Sequence, residues 1–74
     1  MNIEEFLKVT AETLEYEEVI NIDDRIEDVD MWDSLGVLSL VGMLDEMNIS
    51  VELDRFEDLE TIREFIALAG ISDD

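Results

Sequence analysis

Chemistry in this chain starts from hydroxyls and carboxylates, because the sequence holds no histidine and no cysteine. Without them no Ser-His or Cys-His nucleophile pair forms, no thiolate or imidazole binds a metal, and no disulfide closes. Ser34 has the most distinctive surroundings: Trp32 and Asp33 precede it, Leu35 follows, and the most apolar segment of the chain runs on to Met47. A serine at the start of a helix can be an N-cap, accepting hydrogen bonds from first-turn amides. It can also carry a phosphodiester whose anionic oxygens meet the positive end of the helix dipole and the orphan N–H groups. A group attached in this way needs no base from the protein.

The carboxylates Asp23, Asp24, Asp28, Asp30 and Asp33 suggest a calcium loop. An EF-hand requires D-x-[DN]-x-[DN]-G with a late glutamate, and a register begun at Asp28 puts Trp32 at the fifth position and Asp33 where glycine is needed. That reading fails, and no metal site is expected.

The elements that must position Ser34 follow from hydrophobic period. Ile3, Phe6, Leu7, Thr10 and Leu14 recur at helical spacing, with Asn2 and Glu5 arranged as a capping box, so a helix is expected from about Ile3 to Leu14. From Glu15 to Asp33 neither period is sustained, and Tyr16, Val19, Ile20, Ile22, Ile26 and Val29 read as apolar pins of a long acidic loop. A second helix runs from Ser34 to Met47, capped by Ser34 or Asp33. Asp54 to Glu57 suggests a single turn. Thr61 and Glu64 form a capping box for a last helix striped by Ile62, Phe65, Ile66 and Ala69, with Gly70 as its left-handed end. The expected fold is all-α, a four-helix bundle of three main helices plus one short one with a long first loop, forming one domain over residues 1–74.

Turning the second helix by about 100° per residue puts Val37, Leu40, Val41, Leu44 and Met47 on the core side, with Met43 and Gly36 at its edge. The opposite face carries Ser34, Leu35, Leu38, Ser39, Gly42, Asp45 and Glu46. Two leucines there are either ordinary exposed residues or a docking strip beside a modified hydroxyl, bordered by acids. Two helical glycines cost about 1 kcal/mol each against alanine. Gly42 would admit a partner's surface, whereas Gly36 would serve close packing against the long loop.

Composition sets the wider limits. A chain of 74 residues is one small domain that buries about 60% of its unfolded surface, too little for a large enclosed active site. Asp and Glu number 22 against 4 Lys and Arg, a net charge of -18 that repels nucleic acid and anionic membranes and attracts basic partners. A mimic of nucleic acid fits the charge but leaves the Ser34 strip unexplained. The hydrophobic fraction of 47% is too high for a disordered acidic tail. The N-terminus lacks a basic and apolar leader, and no run approaches the ~18 apolar residues of a spanning helix, so a cytoplasmic location without membrane insertion is expected.

Trp32-Asp33-Ser34-Leu35, followed by an apolar helix ending in Leu44-Asp45-Glu46-Met47, resembles the phosphopantetheine attachment motif of acyl carrier proteins. Ile26-Glu27-Asp28-Val29 upstream, and Val51 to Ile62 with Phe56 and Leu59 as inward pins, extend the likeness over nearly the whole chain. The resemblance implies a non-catalytic carrier. Ser34 would be joined by a separate phosphopantetheinyl transferase, using coenzyme A and magnesium, to a 4'-phosphopantetheine arm whose thiol holds acyl groups as thioesters. The reactive sulfur would then belong to the cofactor. Fatty-acid, lipid, polysaccharide or specialised-metabolite synthesis is the implied setting. Gly36 and Ser39 make the strip less negative at its start than in fatty-acid carriers, and Trp32 resembles carriers of specialised pathways. Implied partners are acyl-activating and acyl-transferring enzymes with basic docking surfaces, meeting a monomer at Asp33, Leu35, Leu38, Gly42, Asp45 and Glu46. Val37, Val41, Leu44 and Ile62 are the implied lining of an acyl pocket. The alternative is an acidic helical interaction module without a prosthetic group.

Overall fold

A computed structural model describes residues 2–72 and shows an all-α architecture. Helix α1 spans Ile3–Leu14, α2 spans Ser34–Glu46 and α3 spans Ile62–Ala69, with short 3-10 segments at Ile26–Asp28 and Leu53–Asp58. Among the described residues the only β-type pairing is an isolated bridge between Arg25 and Thr61. No helix among them is long and apolar enough to cross a membrane.

Local chemistry sets the helix ends. The Asn2 side chain accepts from the Glu5 amide at 2.8 Å, and the Glu5 carboxylate accepts from the Asn2 side-chain amide at 3.3 Å. At α3 the capping box is complete: Thr61 Oγ1 accepts from the Glu64 amide, and Glu64 Oε1 accepts from the Thr61 amide at 3.1 Å. Gly70 then leaves α3 at φ 74°. Helix α1 makes the same left-handed exit on Glu15 at φ 58°, where a side chain is strained.

The three helices close on one core. Phe6, Leu40, Leu44, Ile62 and Phe65 have no exposed surface, and Phe6 stacks on Phe65 with ring centroids 5.3 Å apart. Thr10, fully buried in α1, donates its hydroxyl hydrogen to the Phe6 carbonyl at 2.8 Å, so its polar group is satisfied inside the helix. On α2 the burial centres on Leu40, Met43 and Leu44, while Val37, Val41 and Met47 are half-buried. Met43, expected at the edge of the core side, is buried more deeply than the two valines, so the buried stripe of α2 is turned toward Met43.

The first loop is held more tightly than its irregular sequence suggests. Ile20 and Val29 are buried, and Tyr16, Ile22 and Ile26 are half-buried against the core. Val19 is the correction: expected as a pin, it is 79% exposed, because its neighbour Ile20, 3% exposed, takes the inward position. Backbone bonds from Ile26 N–H to the Glu60 carbonyl and from Ile62 N–H to the Asp24 carbonyl, each 3.0 Å, lash the loop to the start of α3. Arg63 adds an ion pair to Asp23 at 2.8 Å. The Tyr16 phenol is held above its ordinary pKa of 10.0, first by desolvation and then by its bond to Glu18 and the charges of Glu18, Asp30 and Asp24.

Candidate functional site

The N-terminus of α2 is built by three consecutive residues with different tasks. Trp32 anchors it: its ring meets Phe65 edge-on at 5.0 Å and lies 6.3 Å from Phe56, joining the end of the first loop to α3 and to the Leu53–Asp58 segment. Asp33 caps it. Its backbone is extended and its Oδ1 accepts from the Gly36 amide at 2.8 Å, while its carbonyl accepts the first helical bond from the Val37 amide at 2.8 Å. Ser34 is therefore the first helical residue and not the cap, which settles the choice the sequence left open.

That division leaves the Ser34 hydroxyl free. The residue is exposed, and among the described residues its side chain has no hydrogen-bond partner. The backbone amides of Ser34 and Leu35 are likewise without an acceptor, since the Asp33 carboxylate engages only that of Gly36. Two free N–H groups at the positive end of a 13-residue helix, beside an exposed hydroxyl, are a fitting seat for a phosphodiester on that oxygen.

Gly36 sits where the Met31 backbone and the Leu14 side chain come close to α2. A Cβ on it would run into the Met31 carbonyl oxygen and come within 2.9 Å of Leu14 Cδ2. The same Met31 carbonyl accepts from the Asp33 amide at 3.0 Å, so a glycine at 36 lets the capping turn fold flat against the helix. Gly42, further along α2, has open space where its Cβ would be.

The outward face of α2 is laid out as the wheel indicates. Leu35 is 76% and Leu38 54% exposed, and Ser39, Gly42, Asp45 and Glu46 are exposed with them. Asp33 is exposed at the same end as Ser34. Met31, 40% exposed just before the capping turn, adds apolar surface that period analysis of the helix alone does not reach.

Val37, Val41, Leu44 and Ile62 differ in their burial. Leu44 and Ile62 are fully enclosed in the core, whereas Val37 and Val41 are half-buried. Val41 also borders a shallow cleft of about 430 Å³ with Gly42, Asp45 and Ile49 to Glu52.

Trp32 is the site residue whose task the sequence reading did not identify. The signal was there: a single tryptophan in an acidic loop represents more apolar surface than such a loop can leave in water. Comparison with known protein-family models, with curated proteins and with solved structures finds no match.

Proposed function

We propose that this chain is an acyl carrier, bearing a 4'-phosphopantetheine arm on Ser34. The observation that carries the reading is the division of labour at the start of α2, where Asp33 caps the helix and leaves the Ser34 hydroxyl exposed and unpaired beside two free amides. A serine that merely capped would have its oxygen turned to the first-turn N–H groups. When bound, the arm supplies the thiol on which acyl groups are held as thioesters, chemistry for which the chain itself has no sulfur nucleophile.

The protein's own residues then position and present. Trp32 and Gly36 fix the direction in which α2 begins, and the Ser34 and Leu35 amides face the phosphodiester charge. Leu35 and Leu38 offer apolar contact to the transferase and to acyl-handling enzymes, while Asp33, Asp45 and Glu46 draw basic surfaces toward Ser34. An acyl chain lodging among Val37, Val41, Leu44 and Ile62 has to open the core, because Leu44 and Ile62 are enclosed.

Intact mass after incubation with coenzyme A, magnesium and a broad-specificity phosphopantetheinyl transferase tests the reading. The wild type is expected to gain one phosphopantetheinyl group and Ser34→Ala none. A wild type that gains nothing, or an alanine variant that gains as much, overturns it and leaves the α2 face as the docking strip of an acidic interaction module. For recognition, Leu38→Ala and the Asp45→Lys, Glu46→Lys pair are each expected to slow modification at limiting protein concentration.

A further inference from the structure

Helix α1 and the first loop border an open cleft of about 960 Å³ that the carrier reading does not use. Its walls are largely apolar, with Ile3, Leu7 and Ala11 on α1 and Tyr16, Ile20 and Ile22 on the loop. Val19 lines the same cleft while keeping 79% of its surface in water, more than any other large apolar side chain among the described residues. Next to it the backbone is open as well. Among the described residues no hydrogen bond is made by the N–H or C=O groups of Glu17, Glu18, Val19 or Ile20, so a stretch with free donors and acceptors borders the cleft.

Charge decides what can cover it. Glu4, Glu12, Glu17 and Glu18 line the cleft against one cation, Lys8, in a molecule of net charge -18. A second copy of the chain brings the same charge and is repelled, as is an anionic membrane. A hydrocarbon chain meets the apolar walls but answers neither the carboxylates nor the free backbone groups. A cationic peptide segment with large apolar side chains answers all three, by burial, by charge and by main-chain hydrogen bonds to residues 17–20. We propose that the cleft between α1 and the first loop is a docking site for a basic, apolar segment of a partner protein. None of its lining residues lies on α2, so this site is separate from the face around Ser34 and does not depend on the carrier reading.

The test is an NMR titration of the isotope-labelled full chain with three synthetic peptides, alternating lysine with leucine, lysine with serine, and glutamate with leucine. The lysine–leucine peptide is expected to shift the amides of residues 16–22 and of the facing turn of α1 around Leu7 to Glu12, and the other two to leave them in place. Val19→Ser removes an exposed side chain and is expected to weaken this binding by about fivefold or more, the loss typical of a contact that matters. Glu12→Lys with Glu17→Lys is expected to weaken it further and to flatten its salt dependence. Ser34→Ala is expected to bind the peptide as the wild type does, so the result stands whether or not Ser34 carries an arm. Shifts confined to α2 around Leu35 and Leu38, equal binding of the lysine–serine peptide, or unchanged affinity of Val19→Ser overturns the proposal. So does a decanoate titration that moves these amides when the lysine–leucine peptide does not, which assigns the cleft to a hydrocarbon chain.

Discussion

At the scale of single residues, the start of α2 gives neighbours of similar chemistry opposite weights. Asp33 holds the Gly36 amide, so Asp33→Ala is expected to cost about 1 kcal/mol by removing the cap. Ser34 holds nothing, and Ser34→Ala should change stability by less than about 0.5 kcal/mol, as an exposed substitution does. Urea denaturation of the two variants checks this, and equal losses would mean that the serine shares the capping. The same contrast separates the two glycines. Gly42→Ala adds a methyl into open space in a helix and is expected to stabilise by up to about 1 kcal/mol. Gly36→Ala drives one into the Met31 carbonyl and is expected to destabilise by about 1–3 kcal/mol, the range for overpacking. Melting temperatures that move in the same direction for both variants would contradict the geometry. The sequence showed that each glycine needed a reason; the difference between them depends on Met31 and Leu14, which spacing along α2 cannot reveal.

Among the elements, the parts legible in the sequence are those whose physics is local. The bounds of α1, the Thr61–Glu64 capping box and the Gly70 exit follow from neighbours three or four residues apart, and the outward face of α2 follows from the helical period alone. The free hydroxyl of Ser34 was only half legible, because the choice of cap between two adjacent residues turns on the backbone angles of Asp33. The first loop was legible in its apolar pins, all but Val19 being buried or half-buried, and not in the partners that tie it down. Its ties run from Ile26 to Glu60, from Asp24 to Ile62 and from Trp32 to Phe65, and such pairings leave no periodic trace. Val19 and Ile20 show the limit: two adjacent β-branched residues are equivalent on paper, and only the loop's path decides which one is buried. The loop's anchorage is therefore expected to rest on Trp32 more than on its ion pair. Trp32→Ala should cost roughly 3 kcal/mol through lost aromatic packing. Arg63→Ala breaks a pair whose side chains are 64% and 83% exposed and should cost less than about 1 kcal/mol. Hydrogen exchange at the Ile26 and Ile62 amides provides a local check. If Arg63→Ala speeds it more than Trp32→Ala does, electrostatics and not packing holds the loop.

For the molecule as a whole, charge opposes what the core achieves. The net charge of -18 sits on a body whose principal extents are 28 × 24 × 20 Å. At an ionic strength of 0.01 M the Debye length is about 30 Å, so nearly every carboxylate repels every other across the full width of the fold. At 0.15 M it falls to about 8 Å, and repulsion survives only between close neighbours. The unfolded chain spreads the same charge over a larger volume and is relieved less by salt, so screening favours the folded state. Favourable pairs offer little to lose in exchange, since two of the four cations, Arg25 and Arg63, form only exposed ion pairs, with Glu27 and Asp23. Raising sodium chloride from 0.01 to 0.15 M is therefore expected to stabilise the fold by at least about 1 kcal/mol, a rise in melting temperature of about 4–8 °C for a domain of this size. Glu17→Gln, which removes one charge from the exposed loop, is expected to raise the melting temperature at low salt and to lose most of that gain at 0.15 M. A melting temperature that is flat across this range, with Glu17→Gln neutral at both ends, would show that the carboxylates are already far enough apart for packing alone to set the stability.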